Sequence, residues 1–417
     1  MHSLTAGAMS ADLLQPHYAD RFRCIGPECE ESCCQGWGIF VDKATYKKYR
    51  ATPALRQAAS EHIKINPDAR NNFQYARLKF PDGGGCPFLA DDSLCSIQKR
   101  FGSEFLSKTC ARYPRALARF DGRMQRALYL SCPEAARTVL FHTQLLPSDG
   151  PRYRQFVLEE AAPVAPPAAD FLVRQLRAFA LDVLQDETYP VWQRLFVLGI
   201  VCRRVHELTT AQQTTKICSL LAQYATMLRE GALHSPLDNV PARPGLQLDL
   251  VLQLIKLRFE LEQPHDGFAS CVADFLLAIG HSPTIPLAEV AERYHQAYLQ
   301  WYQPFAQRLP NFLQNYLINY VFRTRFPFTD IPNQIQHEAD PLTSSLLLAL
   351  HYRFLHSLLI GAAAKYRHSF SDAHAVRVVH AFARAVEHNV RYFDVLMQYA
   401  RAPEIQQSDG MAVLLRN

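Results

Sequence analysis

Eight of the chain's eleven cysteines fall before residue 133, and that skew constrains the fold more than any other feature of the sequence. They are Cys24, Cys29, Cys33, Cys34, Cys86, Cys95, Cys110 and Cys132. Their neighbours are Gly, Pro, Ser and Asp, residues that set cysteines on loops and helix starts rather than in an apolar stripe. Loops let thiolates from distant positions converge on one point. Thiolate is the ligand that zinc and iron–sulfur clusters take. Cys202, Cys218 and Cys271 instead lie singly in apolar helical patterns, and there cysteine is expected to pack as a small hydrophobe.

The spacing Cys24-x4-Cys29-x3-Cys33-Cys34 matches no common metal motif. A zinc ribbon needs paired C-x2-C knuckles, and none is present. A radical-type C-x3-C-x2-C loop begins at Cys29 and Cys33 but fails at Gly36. The ferredoxin runs do not match either. One cubane cluster takes four thiolates. The remaining cysteines are left for a second metal, for supporting thiols or for a transient disulfide.

The rest of the composition narrows the class. With 48% hydrophobic and 20% charged residues over 417 positions, the chain can bury a core without disulfide staples. The net charge of +5 is spread out, and no basic motif marks a nucleic-acid binder. The first dozen residues lack a signal-peptide pattern. Residues 342–364 are apolar enough to cross a bilayer, but His351, Arg353 and His356 within them favour a buried core helix and no membrane. A cytoplasmic protein follows, in which thiols stay reduced.

The expected fold is mainly α. A loop-rich cysteine-cluster metal domain over residues 1–146 precedes a Pro/Ala-rich linker at 147–168 and a multi-helix domain at 169–417. In the first part, an extended stretch through Trp37 and Val41 leads into a helix capped by Asp42 or Thr45. Short helices are expected at 94–105 and 133–142, and a flexible loop at Asp82 to Gly85 approaches Cys86. Apolar residues at three- and four-residue spacing predict helices at 171–184, 191–208, 211–228, 246–262, 267–279, 287–305, 311–322, 342–364 and 372–399.

Familiar reactive motifs are missing. No G-x-G-x-x-G, P-loop, G-x-S-x-G or H-E-x-x-H occurs. His374, His380 and His388 share one predicted helix at spacings that do not suit a metal. A reactive centre in this chain is therefore expected at the metal.

These residues resemble the flagellin lysine-N-methylase family. The likeness runs through Phe22-Arg23-Cys24, Cys29, Cys33-Cys34-x-Gly36-Trp37, Val41-Asp42, Cys86-Pro87-Phe88-Leu89 and Leu94-Cys95. It continues through Thr109-Cys110, Tyr113-Pro114-Arg115, Ser131-Cys132-Pro133-Glu134 and the aromatic segment 312–328. The cysteine framework is also similar to a broader family of zinc- or iron-chelating proteins. The resemblance implies methyl transfer from S-adenosylmethionine to surface lysines of flagellin, with a 4Fe-4S iron–sulfur cluster and with zinc as the alternative metal. An iron left open can bind an amine with a carboxylate, so the donor needs no Rossmann sheet. Carried onto this chain, all eight N-terminal cysteines are candidate ligands. Trp37 and Arg115 become candidates for holding the donor, and Tyr113 and Asp42 for the lysine and its proton. Trp37 also suits a core position and Asp42 a helix N-cap. Two other readings use the same residues: a non-enzymatic metal-holding module, and a redox sensor with Cys33-Cys34 as its oxidisable pair.

Overall fold

The computed structural model describes residues 13–14, 16, 18–33, 38–69, 71–80, 85–92, 94–120, 123–143, 145, 169–327, 339–406 and 415–416. Cys34, Gly36, Trp37, the glycine loop before Gly85 and the linker expected at 147–168 lie outside these residues. The chain forms two compact units. One is built from residues 22–116 and 132–135. The other is built from the described residues of 1–21, 117–131 and 136–417.

The first unit contains the cysteines. Helix Lys43–Ala51 starts where Asp42 accepts the backbone N–H of Thr45 at 3.2 Å, the capping that the sequence led us to expect. Pro53 opens the next helix, Pro53–His62, at the position where a missing N–H costs nothing. A three-stranded antiparallel sheet of Phe40–Val41, Ala76–Leu78 and Ile63–Ile65 backs these helices, with Val41 and Ile65 both opposite Ala76. Ile39, Val41, Tyr49, Leu55, Ile63 and Phe88 close the core. Beyond the extended stretch at Val41, no sequence pattern marks these strands. They are two or three residues long, too short for alternation to be visible. The helix expected at 94–105 is helix Ser96–Phe101 followed by a 3-10 turn, because Gly102 breaks it with φ of +88°.

The second unit is helical, with one small sheet in which Leu13–Leu14 runs parallel to Arg123–Leu128 and Arg115–Phe120 forms the far strand. Its central element is helix Pro341–Tyr366. Asp340 caps it by accepting the Thr343 N–H at 3.0 Å, and Pro341 begins it. The helix is apolar on every side, so it must be enclosed, and it is the only described helix long and apolar enough to cross a membrane. Its apolar window is wholly buried among the other helices. Arg353 within it is 0% exposed and donates to the Tyr294 hydroxyl at 3.1 Å and to the Leu415 carbonyl at 2.9 Å.

Two expected helices are interrupted. The span 287–305 is helix Leu287–Ala297, a wider π-type turn at Tyr298–Tyr302, and helix Gln303–Arg308. Pro304 cannot donate to the turn before it, and the wider turn makes room for its ring. The span 372–399 divides at a second π-type turn, Ala383–Glu387, and restarts as helix Val390–Ala400, where Asn389 caps the N–H of Tyr392 at 2.9 Å. Cys202 and Cys271 are buried as expected, whereas Cys218 is only half-buried on its amphipathic helix.

Candidate functional site

Local structure brings the described N-terminal cysteines into two neighbourhoods. Cys86 and Cys95 stand at the two ends of one closed loop. Leu89 and Cys95 form a β-bridge, Leu89 N–H donates to the Cys86 carbonyl at 2.8 Å, and Ser96 N–H donates to Phe88 at 2.8 Å. Cys110 sits in the first turn of helix Lys108–Arg112, where the Ser107 hydroxyl accepts its N–H at 3.2 Å. Cys86, Cys95 and Cys110 pack on the same apolar core with Tyr49, whose hydroxyl donates to the Phe105 carbonyl at 2.5 Å. Gly26, at φ of +61°, turns the chain after Cys24 and gives its N–H to the Cys24 sulfur at 3.4 Å. Cys132 starts helix Pro133–Leu140, and the N–H groups of Ala135 and Glu134 point to its thiol.

Electrostatics sorts the thiols in the same way. Burial, with charges on Cys95 and Cys33 adding to it, pushes the Cys86 thiol up to about 11. Burial takes Cys110 to about 12, with Cys86, Cys95 and Cys33 adding to it. Burial also takes Cys132 to about 12, and Cys29 and Cys33 act on it. Cys29 is raised by burial and by Cys24 and Cys33. One neighbourhood is thus Cys33, Cys86, Cys95 and Cys110. The other is Cys24, Cys29 and Cys132, with Cys33 common to both. At neutral pH such buried thiols hold their protons unless a metal takes the proton's place. The donor chemistry fits a soft metal, although no three metal-binding side chains among the described residues converge as they would around one ion.

The other residues singled out from the sequence take clear positions. Asp42 is 3% exposed, and its carboxylate also accepts the Thr45 hydroxyl at 2.8 Å and the Lys108 N–H at 3.0 Å. Burial works against its charge, but these donors hold its carboxyl below the usual range. Arg115 opens strand Arg115–Phe120 with its guanidinium 5.2 Å from the centre of the Phe22 ring. Tyr113 ends helix Lys108–Arg112 and is half-buried.

The helical unit holds a polar cluster that no local sequence pattern marks. Arg323 and Glu387, 3% and 4% exposed, form an ion pair at 3.1 Å. Tyr316 donates to Glu387 at 2.7 Å, and Arg323 lies 5.2 Å from the centre of the Tyr320 ring. The Ser131 hydroxyl and His388 Nε2 are 2.7 Å apart, and the Tyr129 ring lies 4.9 Å from that of His388. Burial pushes His388 down to about 4, and Arg323 reinforces the shift. His388 has a helical spacing that does not suit a metal, yet polar groups hold it here. Its polar partners come from segments up to 257 positions away, which no local pattern reveals.

Residues 177–414 match the FliB lysine N-methylase C-terminal domain, which is more than half of the chain. The chain belongs to the FliB lysine N-methylase family. Among its relatives, the lysine-N-methylases of Salmonella typhimurium and Salmonella choleraesuis are each 25% identical over 393 residues, covering 90% of this chain and 92% of the relative. The flagellar biosynthetic protein FliU of Salmonella muenchen is 36% identical over 129 residues, 30% of this chain and 75% of that protein. No solved structure matches. Within this FliB-family chain, the matched domain includes Tyr316, Tyr320, Arg323, Glu387 and His388.

Proposed function

We propose that this chain is a protein-lysine N-methyltransferase that modifies flagellin in the cytoplasm, with S-adenosylmethionine as donor and an iron–sulfur cluster held by its N-terminal thiols. The observation that carries the reading is the alignment of lysine-N-methylases along 90% of the chain, cysteine unit and helical unit together. In the reaction the lone pair of a neutral lysine amine forms the N–C bond as the S–CH3 bond breaks. S-adenosylhomocysteine leaves, and the proton lost by the lysine ammonium passes to solvent. Placing amine and sulfonium in line supplies most of the acceleration.

Cys33, Cys86, Cys95 and Cys110 are the preferred ligand set, because the last three pack on one core and the exposed Cys33 acts electrostatically on Cys86 and Cys110. Soft thiolate donors of this kind suit an iron–sulfur cluster. A cluster held by three of these thiolates would leave its fourth iron open and would supply a chelating point for the donor's amine and carboxylate. Asp42 fixes Lys108 and hence the helix that carries Cys110. Arg115 is the candidate for the donor carboxylate, since guanidinium pairs with carboxylate in bidentate geometry.

Anaerobic purification followed by iron, sulfide and zinc analysis, with labelled methyl donor and flagellin, tests the reading. We expect methylated flagellin lysines in proportion to iron content. Full transfer after complete iron removal would sink the cluster's role, and no transfer by iron-loaded protein would sink the methylase reading.

A further inference from the structure

The Tyr320 hydroxyl is buried and has no hydrogen-bond partner. A buried polar group without a partner is costly, and native folds keep few of them. This one stands among groups suited to an amine. The Tyr320 ring borders Tyr316, at 6.5 Å between centres, and His351, at 5.1 Å. Tyr316 holds the Glu387 carboxylate, and Glu387 holds Arg323. Toward solvent the cluster ends at Tyr129 and His388, both half-buried and stacked at a tilt. Glu387 is the last residue of the π-type turn Ala383–Glu387, a distortion often found at functional sites.

We propose that the helical unit binds the acceptor amine, a lysine side chain, between Tyr316, Tyr320 and Glu387, with Tyr129 and His388 forming the mouth of the site. The amine nitrogen would donate to Glu387 and accept from the Tyr320 hydroxyl, filling its empty hydrogen bond. The tyrosine rings would flank the side chain's methylenes and any methyl already added. Arg323 sets the protonation state. Because that guanidinium is already paired with Glu387, the carboxylate's pull on an ammonium is largely offset, and burial then disfavours the charged form, so the site selects the neutral amine, the form with a lone pair to give. That the amine is a lysine of a methylation substrate rests on the proposed function. That an amine binds here does not.

Tyr320→Phe is the deciding variant, because it removes only a hydroxyl that contacts nothing. If the hydroxyl merely held a water, the variant would bind and act like the wild type, and if it had a structural role, the variant would melt at a lower temperature. Nα-acetyl-lysine methylamide is titrated at millimolar concentration by saturation-transfer NMR against the wild type and Tyr320→Phe. We expect binding to the wild type, binding at least ten-fold weaker to the variant, and unchanged melting and iron content. In methyl transfer, kcat/KM for the acceptor should fall by the same factor or more. Absence of wild-type binding, or equal binding by the variant, overturns the site. If the wild type binds the amine yet methylates nothing, the site stands and the methylase reading falls. If the wild type methylates and Tyr320→Phe keeps its kcat/KM, the reading stands and the site falls.

Discussion

At the scale of one residue, Asp42 ties together parts of the chain that are far apart in sequence. One oxygen caps helix Lys43–Ala51, and the other takes the Thr45 hydroxyl and the N–H of Lys108, 66 positions away. The cap was legible from an Asp three residues ahead of a Thr at a helix start. The tie to Lys108 was not, because it depends on where a separate loop is folded. Replacing Asp42 with Ala removes these bonds and leaves the Lys108 N–H without its acceptor, which costs about 2–3 kcal/mol. We expect Asp42→Ala to lower the melting temperature and the iron bound per chain, while transfer per bound iron stays near the wild-type value. A folded, iron-replete Asp42→Ala protein with no transfer would instead give Asp42 the lysine-orienting role. Thermal melting, iron analysis and activity per iron separate the two outcomes.

At the scale of elements, helices approach closely where a side chain is missing. Gly361 lies in helix Pro341–Tyr366 against helix Asp266–Ala278, and a Cβ added there would stand 2.6 Å from the Cα of Phe275. That atom is backbone and cannot swing aside. Alanine is the better helix former by about 1 kcal/mol, but the clash forces the two helices apart, at about 1–3 kcal/mol or more. The clash wins, so Gly361→Ala should be destabilising, with a lower urea midpoint and an unchanged m-value. A stabilised variant would mean that the contact is looser than it stands here. Helix existence was legible from periodicity almost throughout this unit, because each helix has an apolar face to bury. Its interruptions were less so. Pro304 marks the first π-type turn in the sequence, but the turn at Ala383–Glu387 contains neither Pro nor Gly. The sequence gives no warning of the place where Glu387 is positioned.

At the scale of the whole molecule, the cysteine skew marks the first unit, which holds all the described N-terminal cysteines. How those thiols are grouped was not legible, since it depends on the loop closed by Leu89 and Cys95 and on the turn at Gly26. The helical unit's polar interior was hidden for the opposite reason: Arg323, Glu387 and His388 sit among apolar residues in sequence and find one another only through folding. That interior ties the molecule's stability to pH. Burial holds His351, His356 and His388 below the ordinary histidine value, with Arg353 adding to the shift at His356 and Arg323 to those at His351 and His388. Each is neutral when folded and takes a proton more readily when the chain unfolds. Between the ordinary value near 6.5 and the folded value, the unfolded chain therefore binds more protons, and stability falls as pH falls. For His388, pushed to about 4, the loss across that window amounts to about 3 kcal/mol. We expect urea midpoints that are level between about pH 7 and 8 and drop steadily from about 6.5 to 4. His388→Gln should flatten part of that slope, because Gln can keep a hydrogen bond to Ser131 without taking a proton. A variant with the wild-type slope would assign the acid sensitivity to His351 and His356 alone.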